Sequence, residues 1–421
     1  MSVGVVAGCS GPVEPTQAPV VAVVAAPEPA PEIQAPEPEP PVPEDRPVPA
    51  NVLVLHAAAV ANHGFDDAYP LAGGGVAVVS LFDLVGAAGG QATLTRDAGY
   101  YAFTDEHFVE ATAVGGRWPD DVAVTVHYGT LRATVKHAVI SRAGEAWRER
   151  PMRSARGRLD YFSAYAGTPD GQGFALRVGQ PQRGFHDLRM GYDAEDDEEP
   201  DFPPPSPTSQ RDDNDQYLYW LGTPTVERLF GEGPRPPPLP AKSVALALQV
   251  APAGDLYVQL RGGEVLHAAP GARRWRALPR AFAWAKHDSM DMFVGLDGRL
   301  VVSRCTENGE QLYRLDGAAW TTLPLLERCS RTMVGREDGT LWALGLGDDF
   351  TTLHRLGADG AWLEMEAQVP GYSQFTIDAL AAVPGALWLA GEFGVARPDG
   401  TYEGLVATTA PGGTLLDLRT K

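Results

Sequence analysis

Residues 289–323 divide as SMDMFVGL-DG-RLVVSRC-TENG-EQLYRL-DG-AAWTTL. Asp297-Gly298, Glu307-Asn308-Gly309 and Asp316-Gly317 are hairpin signals, because glycine takes the positive φ that a tight turn between two strands demands. The intervening runs, 289–296, 299–305, 311–315 and 319–323, are rich in β-branched, aromatic and other apolar residues. The reading is a four-stranded antiparallel meander. The next unit repeats it with strands at 331–336, 340–346, 352–356 and 362–365, and with turns at Asp338-Gly339 and Asp359-Gly360.

Two markers show that the pattern is periodic. Glycine followed by a strand start recurs at Gly254-Asp-Leu-Tyr257, Gly298-Arg-Leu-Val301, Gly339-Thr-Leu-Trp342 and Gly385-Ala-Leu-Trp388, spaced 44, 41 and 46. A tryptophan recurs at Trp275, Trp320 and Trp362, spaced 45 and 42. So short a meander cannot bury both faces alone, and four strands per ~40 to 45 residues is the repeat of a β-propeller blade, where blade packs on blade around an axis. The recurring tryptophans read as blade packing.

Earlier units are more worn. Asp121–His127 followed by Glu145-Ala-Trp147 has the same strand and the same Trp, and 173–178 and 216–220 read as strands of a blade split by an insertion. Residues 51–117 supply the first blade or a strand that closes the ring with Thr414–Leu418. Dividing residues 51–421, less about 35 for the insertion, by ~45 predicts an all-β propeller of seven four-stranded blades, with six or eight fitting nearly as well. The units resemble bacterial propeller repeats in general and match no single family. They lack the Trp-Asp pair of WD40 repeats, have paired Kelch-like glycines only at Gly262-Gly263, and approach the sialidase Asp-box only at Asp316–Trp320, where the Ser is missing.

Composition sets the outer bounds. Lys plus Arg number 34 against 54 Asp plus Glu, a net charge of −20, which argues against nucleic acid as a partner. Residues 10–50 hold seven acids, one base and 13 prolines, and residues 193–215 hold ten acids and one base. The first stretch reads as an extended Pro/Glu-rich tether and the second as a disordered acidic surface insertion. Asp212-Asp-Asn-Asp215 lacks the spaced ligands and glycine of an EF-hand loop, so no metal is expected there.

Val6-Ala7-Gly8-Cys9, followed by Ser10-Gly11-Pro12 and the tether, resembles the lipobox of bacterial lipoproteins. The resemblance implies cleavage before Cys9, lipidation of its thiol and anchoring in the bacterial cell envelope; Ser10 is compatible with the outer membrane. Residues 1–9 are then the remnant of a signal peptide. They carry no base and fall short of a full apolar region, so the reading expects the natural start to lie upstream. Apart from Cys9, the only cysteines are Cys305 and Cys329. In a meander, Cys305 ends a second strand on the face where the fourth strand also ends, and Cys329 leaves that fourth strand, so an extracytoplasmic address predicts a disulfide between them.

A Gly-x-Ser-x-Gly elbow, a Walker loop, a dinucleotide loop and His-Glu-x-x-His are all absent, and no two of the nine histidines stand at i, i+2 or i, i+4. No cofactor and no metal are expected. The propeller domain, 51–421, is therefore read as a monomeric, membrane-tethered binding or scaffold module for a protein or glycan ligand. The alternative is a propeller enzyme acting on glycans, a hydrolase or a lyase. By blade topology, connections between blades share one face with the loops between second and third strands. That face gathers Trp284 and His287 beside Phe282 and Lys286, Tyr372 and Phe375 from a second connection, and Asp348, Asp349 and Phe350 from a strand loop. Aromatic rings beside acids and a base suit recognition of a sugar or peptide.

Overall fold

The computed structural model describes residues 50–79, 84–95, 107–151, 160–179, 209–219, 224–284, 290–346, 351–394 and 403–417, less a few short turns within those ranges. Every regular element among them is a β-strand. Strands β1 (Val52–Val54) and β2 (His56–Ala61) come first. The first sheet holds β3 (Asp67–Leu71), β4 (Gly75–Val79), β5 (Leu84–Ala88) and β6 (Gln91–Thr95). The second holds β7 (His107–Arg117), β8 (Asp121–Thr130), β9 (Ala133–Ala143) and β10 (Ala146–Pro151). Then come β11 (Asp160–Gly167), β12 (Gly173–Gly179), β13 (Ser209–Arg211), β14 (Tyr217–Tyr219) and β15 (Thr225–Phe230), of which β11, β12 and β15 form a sheet.

The C-terminal half is more regular. One sheet is β16 (Ala245–Val250), β17 (Leu256–Leu260), β18 (Glu264–Ala268) and β19 (Arg276–Ala277), and the next is β20 (Asp291–Val294), β21 (Leu300–Thr306), β22 (Gly309–Asp316) and β23 (Ala319–Thr322). A third contains β24 (Ser330–Gly335), β25 (Leu341–Leu346), β26 (Thr351–Leu356) and β27 (Trp362–Gln368), with β1 added at its edge. The last contains β28 (Thr376–Val383), β29 (Ala386–Phe393), β30 (Glu403–Thr408), then β2, then β31 (Leu416–Asp417).

The arrangement is a β-propeller. Five of the sheets, those opening with β3, β16, β20, β24 and β28, are blades of four or five strands, and within them each strand pairs antiparallel with the next in the meander. The glycine marker is the turn between first and second strands. Gly254, Gly298, Gly339 and Gly385 have φ between 78° and 90°, and in the two earlier units where those turns are described Gly74 has 80° and Gly171 98°. An aspartate fixes several turns: the Asp297, Asp338 and Asp359 carboxylates accept the N–H two residues on.

Each first strand lies against the first strand of the next sheet: β3 against β7, β7 against β11, β11 against β16, β16 against β20, β20 against β24, β24 against β28, and β28 against β3. The core consequently lies in layers between blades. Val76 and Val78 meet Trp388 and Ala379 in one layer; Val258 and Leu266 meet Phe174 and Val226 in another; Leu312 meets Leu341 and Ala343 in a third. Inner strands are covered on both faces, which is why β4 (GVAVV) and β17 (LYVQL) are buried throughout instead of alternating. The outermost β23 is mostly exposed.

The recurring tryptophans tie blades together. The Trp275, Trp320 and Trp362 indoles donate to the carbonyls of Pro237, Pro279 and Pro324 at 2.9, 2.7 and 3.1 Å, and the last two acceptors lie in the exit from the preceding blade's fourth strand. Cys305 and Cys329 form a disulfide, with Cα atoms 5.5 Å apart. The same connection is also held by backbone bonds between Glu310 and Leu326, and the Glu310 carboxylate, only 2% exposed, accepts the Ser330 N–H at 2.6 Å.

Three details depart from the sequence reading. The segment Gln216–Trp220 is not a blade strand: Tyr217–Tyr219 pairs with Ser209–Arg211 in a separate ribbon, and β15 takes the place beside β12. That sheet has three strands among the described residues, since β15 runs into Gly231–Pro240, whose five prolines offer no N–H to a further ladder. Two blades have five strands because β1 pairs parallel with β27 and β31 pairs parallel with β2. Residues 51–117 serve both roles foreseen for them, as β2 becomes the fourth strand of the last blade while β3–β6 form the first. Cys9, the tether to residue 49 and most of the acidic insertion lie outside the described residues.

Candidate functional site

The face carrying the inter-blade connections begins with packing. Trp284, in the connection between β19 and β20, is half-buried and lies on the turn between β17 and β18; a Cβ on Gly263 there would come within 2.1 Å of its ring. Phe282 stacks on Trp284 at 6.0 Å and on Tyr313 at 5.3 Å, with the Arg304 guanidinium 5.3 Å from its centroid. These rings border the apolar layer between two blades. Tyr372 meets Phe393 edge to face at 4.7 Å, and both Tyr372 and Phe375 pack on the layer beside the last blade. Trp284 therefore belongs to one packed cluster and Tyr372 with Phe375 to another. His287, Asp348, Asp349 and Phe350 lie outside the described residues.

The other end of the axis holds a cavity of about 340 Å³. Its wall comes from the later parts of the first strands β3, β7, β11, β16, β20, β24 and β28, among them Leu71, Val114, Ala166, Val250, Val334 and Val383. Among the described residues that line it none is charged; its polar side chains are Tyr69, Tyr165, Thr168, Gln249 and Thr332. Glycines let the wall close up at this end. A Cβ on Gly335 would lie 2.8 Å from the Gly295 Cα, and the Leu296 N–H donates to the Gly335 carbonyl at 2.9 Å between blades. Likewise the Tyr165 ring occupies the place a Cβ on Gly115 would take, and the Ala72 N–H donates to the Gly116 carbonyl at 2.8 Å.

A cluster of two arginines and one aspartate stands beside the rim, joined by hydrogen bonds. The Thr168 hydroxyl donates to the Asp170 carboxylate and accepts the Gln172 N–H at 3.0 Å. That hydroxyl, with the Gln172 side chain, holds Asp170 below the usual carboxylate range against the opposing effect of burial. Arg117 donates to the Asp170 carbonyl at 3.1 Å, and Arg228, lying 4.5 Å over the Phe174 ring, donates to the Gln172 side chain at 2.6 Å. At the opposite end, near the start of β20, burial pushes the Asp291 carboxyl up. Among the described residues no group of three or more His, Cys, Asp or Glu is arranged to hold a metal ion.

Sequence reasoning missed the axial cavity and the Thr168–Asp170–Gln172 cluster. The turn glycine Gly171, which falls at the marker position of its unit, is the signal that locates the cluster's turn.

No family model matches the chain, and no curated protein matches it. It is similar in structure to a streptogramin B lyase, at 10% identity and a TM-score of 0.44 over 84% of this chain and 96% of that one. A selenomethionine-substituted virginiamycin B lyase from Staphylococcus aureus gives 10% identity and 0.42 over 82% of this chain and 95% of that one. A puromycin hydrolase mutant gives 12% and 0.46 over 80% of this chain and 50% of that one.

Proposed function

We propose that this chain is a lipid-tethered, extracytoplasmic propeller of seven blades that acts as a non-catalytic binding module. The observation that carries the reading is the Cys305–Cys329 disulfide, because such bonds persist in oxidising compartments. It agrees with the address implied by Val6–Cys9 and the Pro/Glu-rich tether. The count of seven is supported by the succession of first strands, each against the next, that returns from β28 to β3.

The binding face we assign is that of the inter-blade connections, with Trp284, Tyr372 and Phe375 as partly exposed rings, and from the sequence pattern we add His287, Asp348, Asp349 and Phe350 to it. The partner is a protein or glycan of the envelope, and the lipid on Cys9 holds the module at the membrane.

Two measurements test this. Mass spectrometry of the native protein is expected to find a diacylglycerol-modified Cys9 at the amino terminus, and an unmodified Met1 or a free Cys9 thiol defeats the address. An envelope-glycan and protein array is expected to show binding that Trp284→Ala and Tyr372→Ala weaken, without change in the bound glycan. New reducing ends or unsaturated sugars would move the chain to the enzyme reading.

A further inference from the structure

The axial cavity stands at the opposite end of the propeller from the connection face, and the reading above gives it no task. We propose that it is a second binding site, for an uncharged, amide-bearing small molecule. Its volume, about 340 Å³, falls in the range of small-molecule pockets, roughly 300 to 1,000 Å³. Pro70 and Pro384 in its lining are exposed, so it reaches solvent at the end of the first-to-second-strand turns.

The wall selects the chemistry. A charged ligand would give up its water and meet no counter-charge among the described lining residues, while Asp170, Arg117 and Arg228 beside the rim already hold hydrogen-bond partners. A pure hydrocarbon fails for the opposite reason. Every wall strand (β3, β7, β11, β16, β20, β24 and β28) is the end strand of its sheet and turns toward the axis an edge whose N–H and C=O groups its own sheet does not use. Two inter-blade bonds, Leu296 to Gly335 and Ala72 to Gly116, satisfy part of that edge. An edge group that meets no protein partner is satisfied by water or by a ligand that both donates and accepts, and an amide does both. Gln249 and Thr332 add side-chain partners from two blades, and Phe293 with Val294 supplies partly exposed apolar surface.

The test uses a matched pair of probes, N-acetyl-tryptophanamide and N-acetyl-tryptophan, which are nearly equal in size and differ by one negative charge. Calorimetric titration of the full chain is expected to show the amide binding at least about tenfold more tightly than the carboxylate. Gln249→Trp and Thr332→Trp, made at half-buried positions outside the described apolar layers, are expected to lower amide affinity about tenfold or more, with unfolding midpoints within about 2 °C of the parent. Trp284→Ala on the connection face should leave amide binding unchanged, so failure here and failure of the binding reading above are separable. Intermolecular NOEs from the amide to the Val294 and Val334 methyl groups of the unaltered protein give a readout that no substitution can confound. Absence of amide binding, equal binding of the two probes, NOEs elsewhere, or indifference to both cavity-filling variants overturns the site.

Discussion

The last blade and the blade of β20–β23 both hold distant pieces of chain together, and they do so by opposite means. In the last blade, Val60 of β2 faces Leu405 of β30, about 345 positions further along the chain, and nothing covalent joins them. What holds β2 is burial: Ala58 to Ala61 are at most 1% exposed, with Ala58, Ala59 and Ala61 in the layer of Trp388, Ala390 and Val406, and Val60 in the layer of Leu380, Leu387 and Leu389. In the β20–β23 blade the outer strand is mostly exposed, and the connection that leaves it is pinned by the Cys305–Cys329 bond and by Glu310. Burial secures the joint that closes the ring, and a covalent bond secures the joint with little to bury.

That contrast is most easily broken at β2. Deleting residues 50–61 should abolish the cooperative unfolding transition seen by circular dichroism, because the last blade then exposes the whole β30 edge and an apolar layer. Val60→Asp, a milder version, should cost about 4 kcal/mol or more in urea titration, since it places a carboxylate at a position with 0% exposure. A loss below about 1 kcal/mol would show that burial of β2 is not what closes the ring.

The covalent joint should give the next largest effect. Cys305→Ser with Cys329→Ser, or reduction of the parent, should lower stability by about 3.5 kcal/mol in the chain-entropy model for a separation of 24 residues. The expected sign in thermal melts is a parent sensitive to dithiothreitol and a double variant that is not. If Glu310 already holds the connection by itself, the loss will be far smaller, and Glu310→Gln in the double variant would then bring it out.

Smaller still is the tryptophan tie. Trp320→Phe keeps an aromatic ring and removes the indole N–H given to Pro279, so about 1 kcal/mol should be lost, with Trp275→Phe behaving alike. A loss of 3 kcal/mol or more would mean that ring packing dominates and the hydrogen bond is incidental.

The smallest effect concerns pH. Burial lowers the His354 imidazole below its ordinary value, and its ring bonds the Thr352 hydroxyl at 2.7 Å. The unfolded chain therefore binds the proton more readily, so this contribution is complete above the ordinary value of 6.5 and is lost as pH falls below it toward the folded value. Asp170 and Asp338, both lowered, add losses of the same sign as pH falls below their ordinary 3.8. Asp291, raised by burial, acts in the opposite sense, its contribution being present below 3.8 and lost as pH rises through its folded value. Melting midpoints between pH 7.5 and 5.5 should fall less steeply in His354→Gln than in the parent, and equal slopes would discount this histidine.

The same contrast explains what could be read from the sequence. The C-terminal blades were legible because their information is local: Asp297-Gly298 marks a turn, the strands beside it fall within a residue or two of the expected limits, and Cys329 follows from where a fourth strand must end. The place of β2 was legible only as one of two options, because HAAAVA carries no turn signal that ties it to β30. Gln216–Trp220 misled because a β-favouring aromatic run says nothing about which edge it will pair with. Trp284, Tyr372 and Phe375 were placed on the right connections, yet their packing on neighbouring blades depends on contacts that spacing does not encode. The axial cavity was illegible for a simpler reason: its wall is assembled from ordinary residues scattered between Ala68 and Pro384.

The position of β2 also sets a schedule. Its six residues are made about 345 residues ahead of β30, and β31, on its other side, follows later still. At roughly 5 to 20 residues per second the wait for about 345 residues is some 20 to 70 s, during which an apolar strand has no partner. Ring closure therefore waits for β30, and any ribosome stalled short of residue 403 holds a nascent chain whose β2 is still available to a chaperone, a translocation machine or a neighbouring copy.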